Sequence, residues 1–226
     1  MNVDDIRSQF VDKYQQKDFR MNGTLELQGV SFTADRPYIF KLPKTEYISA
    51  EIEWYDSIDL RVEKLYKIYG KKVDIWDRIK DSEGMINSNY GWMIYSITNG
   101  DQYRNCLKAL GDCKYTRQAV MIYQRPSMHI EAGKDFTCTN VVQYFINEYH
   151  MNCVVQMRSN DITFGYPNDY AWQSVVLHRL CLDMYKKYDY PIHPGKITWQ
   201  VGSLHMYLRD DKHIKEYIER KENGKL

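Results

Sequence analysis

An α+β fold is predicted by three features of the sequence. Apolar residues recur at helical spacing in several segments, and short runs rich in Val, Ile, Tyr and Phe fill much of the second half. These runs lie far apart along the chain, so their pairing has to be non-local. The 226 residues suit a single domain spanning 1–226, because no repeat or Pro/Gly/Ser-rich linker divides them. A chain of this length can bury a core and enclose a ligand.

The first half is predicted to hold two clear helices, one strand and an irregular stretch. Apolar residues have helical spacing over residues 3–14 and again over residues 47–55. Between them, residues 24–27 alternate as a strand does. Residues 61–100 are rich in aromatics and lack a sustained period, so we expect loop and short helices there.

The second half is predicted to form most of the sheet. β-Branched and aromatic residues are concentrated in candidate strands at 119–124, 139–146, 153–158 and 197–207. A turn over residues 165–169 ends in residues suited to a helix N-cap, and a long, largely buried helix follows over residues 171–184. A charged helix over residues 210–221 is expected near the end of the chain.

Composition argues against several classes of protein. With 31 Lys and Arg against 30 Asp and Glu, the formal charge of +1 provides no strong field for nucleic acid. The longest apolar runs are far too short to span a bilayer, and the acidic N-terminus lacks the features of a signal peptide. Five cysteines without a CxxC pair favour reduced thiols over a disulfide framework or a Cys-based metal site. We expect a soluble cytoplasmic protein without nucleic-acid, membrane or metal partners.

Three short motifs follow one another in the second half: Cys-x4-Gln at 138–143, Arg-Ser-x-Asp-x3-Gly-x-Pro at 158–167 and Gly-x2-His-x-Tyr at 202–207. A lone cysteine such as Cys138 is more often an inert buried residue than a nucleophile. In this order and spacing, however, the motifs resemble those of the thymidylate synthase superfamily. The resemblance implies a large mixed sheet flanked by helices, and a homodimer packed sheet to sheet.

The resemblance extends over nearly the whole chain. Residues 51–55 are similar to the family's helix with a catalytic glutamate, residues 75–77 to its folate-side tryptophan segment and residues 89–91 to its Tyr-Gly segment. Further stretches resemble most closely the phage deoxycytidylate hydroxymethylases: 86–92, 125–128, 157–161 and 168–173. That subgroup implies dCMP and 5,10-methylenetetrahydrofolate as substrates, with no metal.

The resemblance also implies a role for each matching residue. Catalysis would use Cys138, Glu51, Asp161 and Tyr90. The nucleotide would be bound by Asp169, Asn168, Arg158, Ser159, Arg117, Gln143, His205, Tyr207 and Arg125. The folate would lie against Trp76, Asp77 and Asp161. Each of these residues taken alone could have a purely structural role. Their occurrence together, in the order found in the family, favours the functional roles.

The chemistry of the reaction explains these residue types. A pyrimidine becomes nucleophilic at carbon 5 only after a thiolate has added at carbon 6, and Cys138 is the candidate thiol. The positive charge of Arg158 would favour the thiolate and bind phosphate. Glu51 would move protons through ordered water. His205 and Tyr207 alternate on a predicted strand, so both side chains face one side, as the family's sugar-binding pair does.

Asp169 is the position that distinguishes the two pyrimidine bases. Thymidylate synthases have an asparagine there, whose amide pairs with the 4-oxo group and ring nitrogen 3 of uracil. An ionised carboxylate is acceptor-only, so it can accept from the 4-amino group of cytosine but not pair with a 4-oxo group. The alternative is that Asp169 only caps the helix that follows it.

Three departures from thymidylate synthases are visible. Their paired arginines, which reach the phosphate of the partner subunit, correspond here to Arg117 and Gln118, and Arg125 is one candidate for the missing role. Thr139 replaces the usual histidine after the cysteine. The charged tail at 222–226 also lacks the apolar closing residues of thymidylate synthases. A less tightly sealed site would admit water.

We therefore expect conversion of dCMP, 5,10-methylenetetrahydrofolate and water to 5-hydroxymethyl-dCMP and tetrahydrofolate. Three alternatives stay open: a deoxycytidylate methyltransferase that delivers hydride in place of water, a hydroxymethylase acting on CMP, and a catalytically silent nucleotide- or RNA-binding protein. The last is disfavoured because a pure binder has no use for a nucleophile such as Cys138 beside Arg158, Asp161 and Glu51.

Overall fold

The computed structural model describes residues 1–129 and 135–224. In these two ranges the helices are α1 (Val3–Gln15), α2 (Thr45–Asp56), α3 (Val62–Tyr69), α4 (Asp74–Ile79), α5 (Tyr90–Tyr95), α6 (Gln102–Asp112), α7 (Gly165–Tyr188) and α8 (Lys212–Glu222). The strands are β1 (Thr24–Thr33), β2 (Val120–Ile122), β3 (Thr139–Asn147), β4 (His150–Asp161) and β5 (His193–Tyr207). Short 3-10 turns lie at Ile97–Asn99, Pro126–His129 and Leu208–Asp210.

The strands form one mixed sheet in the order β1-β5-β4-β3-β2. Neighbouring strands are antiparallel except β4 and β5, which are parallel. A parallel pair needs a long crossover connection, and the 24-residue helix α7 provides it. Because β4 leads almost directly into α7, the end of this strand and the first turns of the helix lie side by side.

The hydrophobic core lies against one face of the sheet. On β4 the residues that point to this face are buried: Met151, Cys153, Val155 and Met157. Helix α7 covers them with fully buried side chains that include Trp172, Val176 and Leu180. On the opposite face, side chains such as Val141, Val154 and Gln156 are partly or fully exposed. The sheet is therefore covered by this chain's helices on one face.

Helices α2 and α5 approach each other closely at Gly91. A Cβ atom at this position would lie 1.8 Å from the carbonyl oxygen of Tyr55, so only glycine fits. The contact also places the ring of Tyr90 on that of Tyr55, stacked with centroids 5.3 Å apart. This close approach gives a structural reason for the Tyr-Gly segment seen in the sequence.

The predicted fold class is confirmed, and the predicted helices and strands lie close to their expected positions. One local prediction was wrong: residues 165–169 do not form a turn, because α7 already begins at Gly165. Asp169 therefore lies inside the helix and cannot be its N-cap. No prediction covered α6, although Tyr103 and Leu107 are buried on it at helical spacing. Within the described ranges, none of the helices combines the length and apolar character that a membrane span requires.

Candidate active site

Cys138 immediately precedes β3, at the point where this strand begins to pair with β4. Its backbone carbonyl accepts a hydrogen bond of 2.9 Å from the backbone N–H of Arg158. The Arg158 guanidinium donates to the carbonyl oxygens of Thr137 and Phe136, at 3.0 and 2.5 Å, and lies 4.9 Å from the centroid of the Phe136 ring. Arg158 therefore anchors the segment that carries the cysteine.

The Cys138 sulfur is a thiol in the free protein. Burial raises its pKa to about 11, the positive charge of Arg158 lowers it, and the carboxylates of Asp169, Asp135 and Asp161 raise it again. The sequence predicted that the charge of Arg158 would favour the thiolate. The direction of that effect is right, but burial outweighs it. The thiol must therefore lose its proton as it attacks, so a proton acceptor is needed nearby.

Asp169 lies in the second turn of α7, beside the end of β4. Its Oδ2 accepts a hydrogen bond of 2.7 Å from Nδ2 of Asn160, and Oδ1 of Asn160 accepts one of 3.2 Å from the indole N–H of Trp199. Burial raises the pKa of Asp169 to about 7, while hydrogen bonds from Asn160 and Tyr90 oppose this rise. Buried carboxyl groups with a pKa near neutrality are common at functional sites.

Glu51, on α2, carries a buried carboxyl group. Tyr47, one turn earlier, donates its hydroxyl to Oε1 of Glu51 at 2.5 Å, and Trp76 donates its indole N–H to the Tyr47 oxygen at 2.8 Å. Burial raises the pKa of Glu51 to about 8; the Tyr47 hydrogen bond lowers it and the charge of Asp169 raises it. At neutral pH Glu51 is therefore mostly protonated, with a proton available for transfer.

Tyr90 links the cysteine segment to Asp169. Its hydroxyl oxygen accepts a hydrogen bond of 3.0 Å from Thr139, the residue after Cys138. The same hydroxyl lowers the pKa of Asp169 by hydrogen bonding. Burial, followed by the charges of Asp169 and Cys138, raises the pKa of Tyr90 well above its ordinary value. Tyr90 is thus a neutral donor, and threonine at 139 serves to orient it.

Asp161, His205, Tyr207 and Ser159 lie at the adjoining end of β4 and β5. Asp161 is opposite His205 in the strand register, and its carboxylate accepts two backbone hydrogen bonds, of 3.0 and 3.2 Å, from the residues that lead into α7. His205 and Tyr207 lie on one side of β5 with ring centroids 5.3 Å apart, as their alternation indicated. Ser159 is partly buried two residues before Asp161.

Near the edge strand β2 lie Arg117 and Arg125, which flank it in sequence, and Gln143, which is on the neighbouring strand β3. Arg117 is exposed, and its carbonyl oxygen accepts a hydrogen bond of 2.9 Å from the side-chain amide of Gln143. Arg125 donates to Oδ1 of Asn87 at 3.2 Å and lies 4.9 Å from the ring centroid of Trp92. The side-chain amide of Gln143 therefore supports the backbone of Arg117.

The remaining predicted residues are Trp76, Asp77 and Asn168. The ring of Trp76 is partly exposed and is connected to Glu51 through Tyr47. Asp77 is exposed, and its carboxylate forms an ion pair of 2.6 Å with Lys80. Asn168 is partly buried, next to Asp169 on α7. The structure thus brings Trp76 toward the buried carboxyl groups, whereas the carboxylate of Asp77 is engaged at the surface.

Three residues of this network were not predicted from the sequence to belong to the site: Tyr47, Asn160 and Trp199. Tyr47 lies four residues before Glu51 on a predicted helix, which places both on one face, so a signal existed. Asn160 was the unspecified position of the Arg-Ser-x-Asp motif, and no local pattern marked Trp199. Across residues 1–129 and 135–224, no group of three or more His, Cys, Asp or Glu side chains is arranged to hold a metal ion.

Known proteins resemble this chain in sequence and in fold. The profile described as thymidylate synthase matches residues 36–226, so the chain belongs to the thymidylate synthase family. The solved structure of a thermostable thymidylate synthase A from Bacillus subtilis has the same fold, with a TM-score of 0.71. That match covers 97% of this chain and 84% of the other at 19% identity.

Within the family, the chain is similar to phage proteins that are described by a more specific activity. It is 44% identical over 222 residues to the deoxycytidylate 5-hydroxymethyltransferase of Enterobacteria phage T4, with 92% of this chain and 87% of that protein covered. The figures are the same for the proteins of phages T2 and T6. The family resemblance seen in the motifs is therefore confirmed.

Proposed function

We propose that this chain is a deoxycytidylate 5-hydroxymethyltransferase. It converts dCMP, 5,10-methylenetetrahydrofolate and water to 5-hydroxymethyl-dCMP and tetrahydrofolate. The observation that carries the proposal is the partly buried carboxyl group of Asp169, whose charge acts on the Cys138 thiol. The family's uracil-specific enzymes are expected to have an asparagine at this position. The 44% identity to phage proteins described by this activity supports the same assignment.

Asp169 selects the base in this proposal. Its ionised form accepts a hydrogen bond from the 4-amino group of cytosine, and a second from ring nitrogen 3 when that atom carries a proton. Because the pKa of Asp169 is raised to about 7 by burial, a proton can be shared between the carboxyl group and the ring nitrogen near neutral pH. With uracil, the 4-oxo group would face another acceptor.

Cys138 acts as the covalent nucleophile. Its sulfur forms a bond to carbon 6 as the thiol proton leaves, and the double bond between carbons 5 and 6 supplies electrons that make carbon 5 nucleophilic. A proton at ring nitrogen 3, held by Asp169, limits the negative charge that develops in the ring. Carbon 5 then forms a bond to the one-carbon unit. Loss of the carbon 5 hydrogen as a proton, with cleavage of the bond between the one-carbon unit and the folate nitrogen, leaves an exocyclic methylene and tetrahydrofolate. Water adds to the resulting exocyclic methylene, and the sulfur is expelled.

Glu51 moves the protons that accompany transfer of the one-carbon unit, which the folate supplies. With a pKa raised to about 8 by burial, Glu51 can donate a proton to the leaving folate nitrogen. Once ionised, it can accept a proton from the attacking water. We expect the folate to lie against Trp76 and Asp161, both of which are partly exposed, because a flat aromatic face such as that of Trp76 suits a pterin ring.

A homodimer would complete the phosphate site. The exposed sheet face carries partly exposed apolar side chains such as Val141 and Val154, which a second copy would cover. Arg117 lies exposed at the edge strand of the same sheet. We expect it to reach the phosphate that Arg158 and Ser159 bind in the partner copy.

The mass of the product tests the proposal directly. Purified protein is incubated with dCMP and 5,10-methylenetetrahydrofolate, and the nucleotide is analysed by mass spectrometry. A gain of one CH2O unit is expected. A gain of CH2 would mean methylation by hydride delivery, and unchanged dCMP with intact nucleotide binding would mean a silent binder. CMP in a parallel reaction tests the choice of sugar.

A further inference from the structure

We propose that Asn160 is a specificity-determining positioning residue: oriented by Trp199, it holds the carboxyl group of Asp169 as a hydrogen-bond acceptor, so that the pair Asn160–Asp169 selects cytosine. Asn160 acts through Asp169 and does not need to touch the base. The inference rests on the proposed function, because it concerns how the base of the nucleotide is chosen.

Trp199 fixes the orientation of the Asn160 amide. An indole N–H can only donate, so the Asn160 atom 3.2 Å from Nε1 of Trp199 must be the amide oxygen. The NH2 group then points to Asp169 and donates to Oδ2 over 2.7 Å. Trp199 and Asn160 are 0% and 2% exposed, so bulk water does not compete for these bonds. Oδ2 of Asp169 is therefore held as an acceptor.

Gly165 provides the space that this contact needs. A Cβ atom at position 165 would lie 3.1 Å from Nδ2 of Asn160 and 3.6 Å from Oδ2 of Asp169. The first distance is shorter than ordinary packing allows, so a side chain there would push the amide away from the carboxyl group. The glycine of the Asp-x3-Gly motif thus has a local reason in this chain.

A donor beside Asp169 matters because a protonated carboxyl group is less selective. The neutral acid has an O–H donor, which can pair with the 4-oxo group of uracil as an amide does. A charge-assisted hydrogen bond from Asn160 favours the ionised, acceptor-only form and opposes burial, which raises the pKa of Asp169 to about 7. The titratable groups that interact with Asp169 from the surrounding elements are Glu51, Tyr55, Tyr90, Cys138 and Asp161.

Of these neighbours, only Tyr90 favours the ionised form of Asp169 as Asn160 does. A hydrogen bond from Tyr90 lowers the pKa of Asp169, whereas the charge of Asp161 raises it. The charges of Asp169 and Glu51 likewise oppose each other. Removing Asn160 therefore shifts Asp169 toward its neutral, donor-bearing form.

The same donor would orient an asparagine introduced at position 169. Asn160 would attract the amide oxygen of the new side chain and turn its NH2 group toward the base. That orientation suits the 4-oxo group of uracil. Asn160 is thus expected to sharpen base preference in both backgrounds, toward cytosine in the wild type and toward uracil in the Asp169→Asn variant.

Four proteins test the inference: wild type, Asn160→Ala, Asp169→Asn and the double variant. For each, kcat/KM and the equilibrium Kd are measured for dCMP and dUMP across pH. Asn160→Ala should reduce the preference for dCMP about tenfold or more, since a buried charge-assisted contact is lost. The preference should weaken further as pH falls, because Asp169 is then protonated. In the Asp169→Asn background, removing Asn160 should reduce the preference for dUMP by a similar factor.

Tyr103→Phe is the matched control. It removes a hydrogen bond of the same length, 2.7 Å, to the carboxylate of Asp183, between α6 and α7. It should lower thermal stability and leave the base preference and its pH dependence unchanged. If Asn160→Ala fails to fold, Trp199→Phe removes the bond that orients the amide and should change the preference in the same direction.

The role of Asn160 would be overturned if removing it changed the ratio of kcat/KM for dCMP and dUMP by less than about threefold, both in the wild type and in Asp169→Asn. Failure of the proposed function would look different. A wild type that binds dCMP in preference to dUMP but forms no hydroxymethylated product would contradict the activity. The Kd ratios of the four proteins would still decide the role of Asn160.

Discussion

The end of the site that we propose binds the base and the end that we propose binds the phosphate are built differently. At the base end, Glu51 and Asn160 are buried. The carboxyl groups of Glu51 and Asp169 accept hydrogen bonds from Tyr47 and Asn160 of the same chain. At the phosphate end, the side chains of Arg117 and Arg158 are exposed. The base end is thus complete in one chain, whereas the phosphate end is expected to be completed by ligand and a second copy.

This difference predicts two kinds of mutational effect. Loss of a partner from a buried polar group leaves that group unpaired and costs about 1–3 kcal/mol, whereas an exposed ion pair contributes about 0–1 kcal/mol. Changes at the base end should therefore alter specificity and pKa values. Changes at the phosphate end should weaken binding in a manner that depends on salt.

The largest effect is expected for Cys138→Ala. The addition step has no substitute, so turnover and the exchange of the carbon 5 hydrogen of dCMP should both fall by several orders of magnitude. Exchange is followed by loss of tritium or deuterium from labelled dCMP. Cys113→Ala, at an exposed thiol, is the control and should behave as wild type. Exchange near the wild-type rate in Cys138→Ala would refute the nucleophile assignment.

A smaller effect is expected for Tyr47→Phe, which tests the role of the buried carboxyl group of Glu51. The Tyr47 hydroxyl favours ionised Glu51, so its removal should raise the pKa of Glu51 above its value of about 8. Steps that need the ionised form should then slow near neutral pH and recover as pH rises. We expect kcat at neutral pH to fall about 10- to 100-fold, with the ascending limb of the pH profile moved to higher pH.

Tyr14→Phe is a suitable control for this experiment. It removes a hydrogen bond of 2.9 Å from a tyrosine hydroxyl to the carboxylate of Asp211, near the start of α8. Its pH profile should match that of the wild type. A Tyr47→Phe profile with an unmoved limb would mean that Tyr47 only packs against α2.

The smallest effect is expected for Arg117→Ala at the phosphate end. Loss of one charge-assisted contact should raise the Kd for dCMP about tenfold, with a smaller difference at high salt. Mixed dimers test whether the contact crosses the interface. Combining Arg117→Ala subunits with Cys138→Ala subunits should restore one working site per dimer. Activity no higher than that of either parent would contradict sharing across the interface.

The fold could be predicted because local patterns carry it, and local patterns also carry the proposal of covalent chemistry. Strand alternation predicted that His205 and Tyr207 share a side, and the motif around Cys138 indicated the nucleophile. The turn assigned to 165–169 was wrong for a physical reason. Gly165 and Pro167 are typical of turns, but proline is also tolerated in the first turn of a helix, where its missing N–H has no partner to lose.

Two features of the site could not be predicted because they depend on tertiary structure. The contact from Trp199 through Asn160 to Asp169 joins three elements that are separated in sequence. The effect of burial on Cys138 also depends on packing, and it exceeds the effect of Arg158 that the sequence indicated. The sequence identifies the titratable side chains of the site, whereas their protonation depends on how deeply the fold buries them and on the neighbouring charges.

The most direct test of cytosine selection by Asp169 is the ratio of kcat/KM for dCMP and dUMP in wild type and Asp169→Asn. A mispaired buried polar group can discriminate by as much as roughly 10⁴–10⁵, so the wild type should strongly prefer dCMP and the variant should reverse or nearly reverse that preference. Thermal melting checks that the variant is folded. A wild type that prefers dUMP, or a variant ratio unchanged within a few-fold, would contradict base selection by Asp169 and leave it as a structural partner of Asn160.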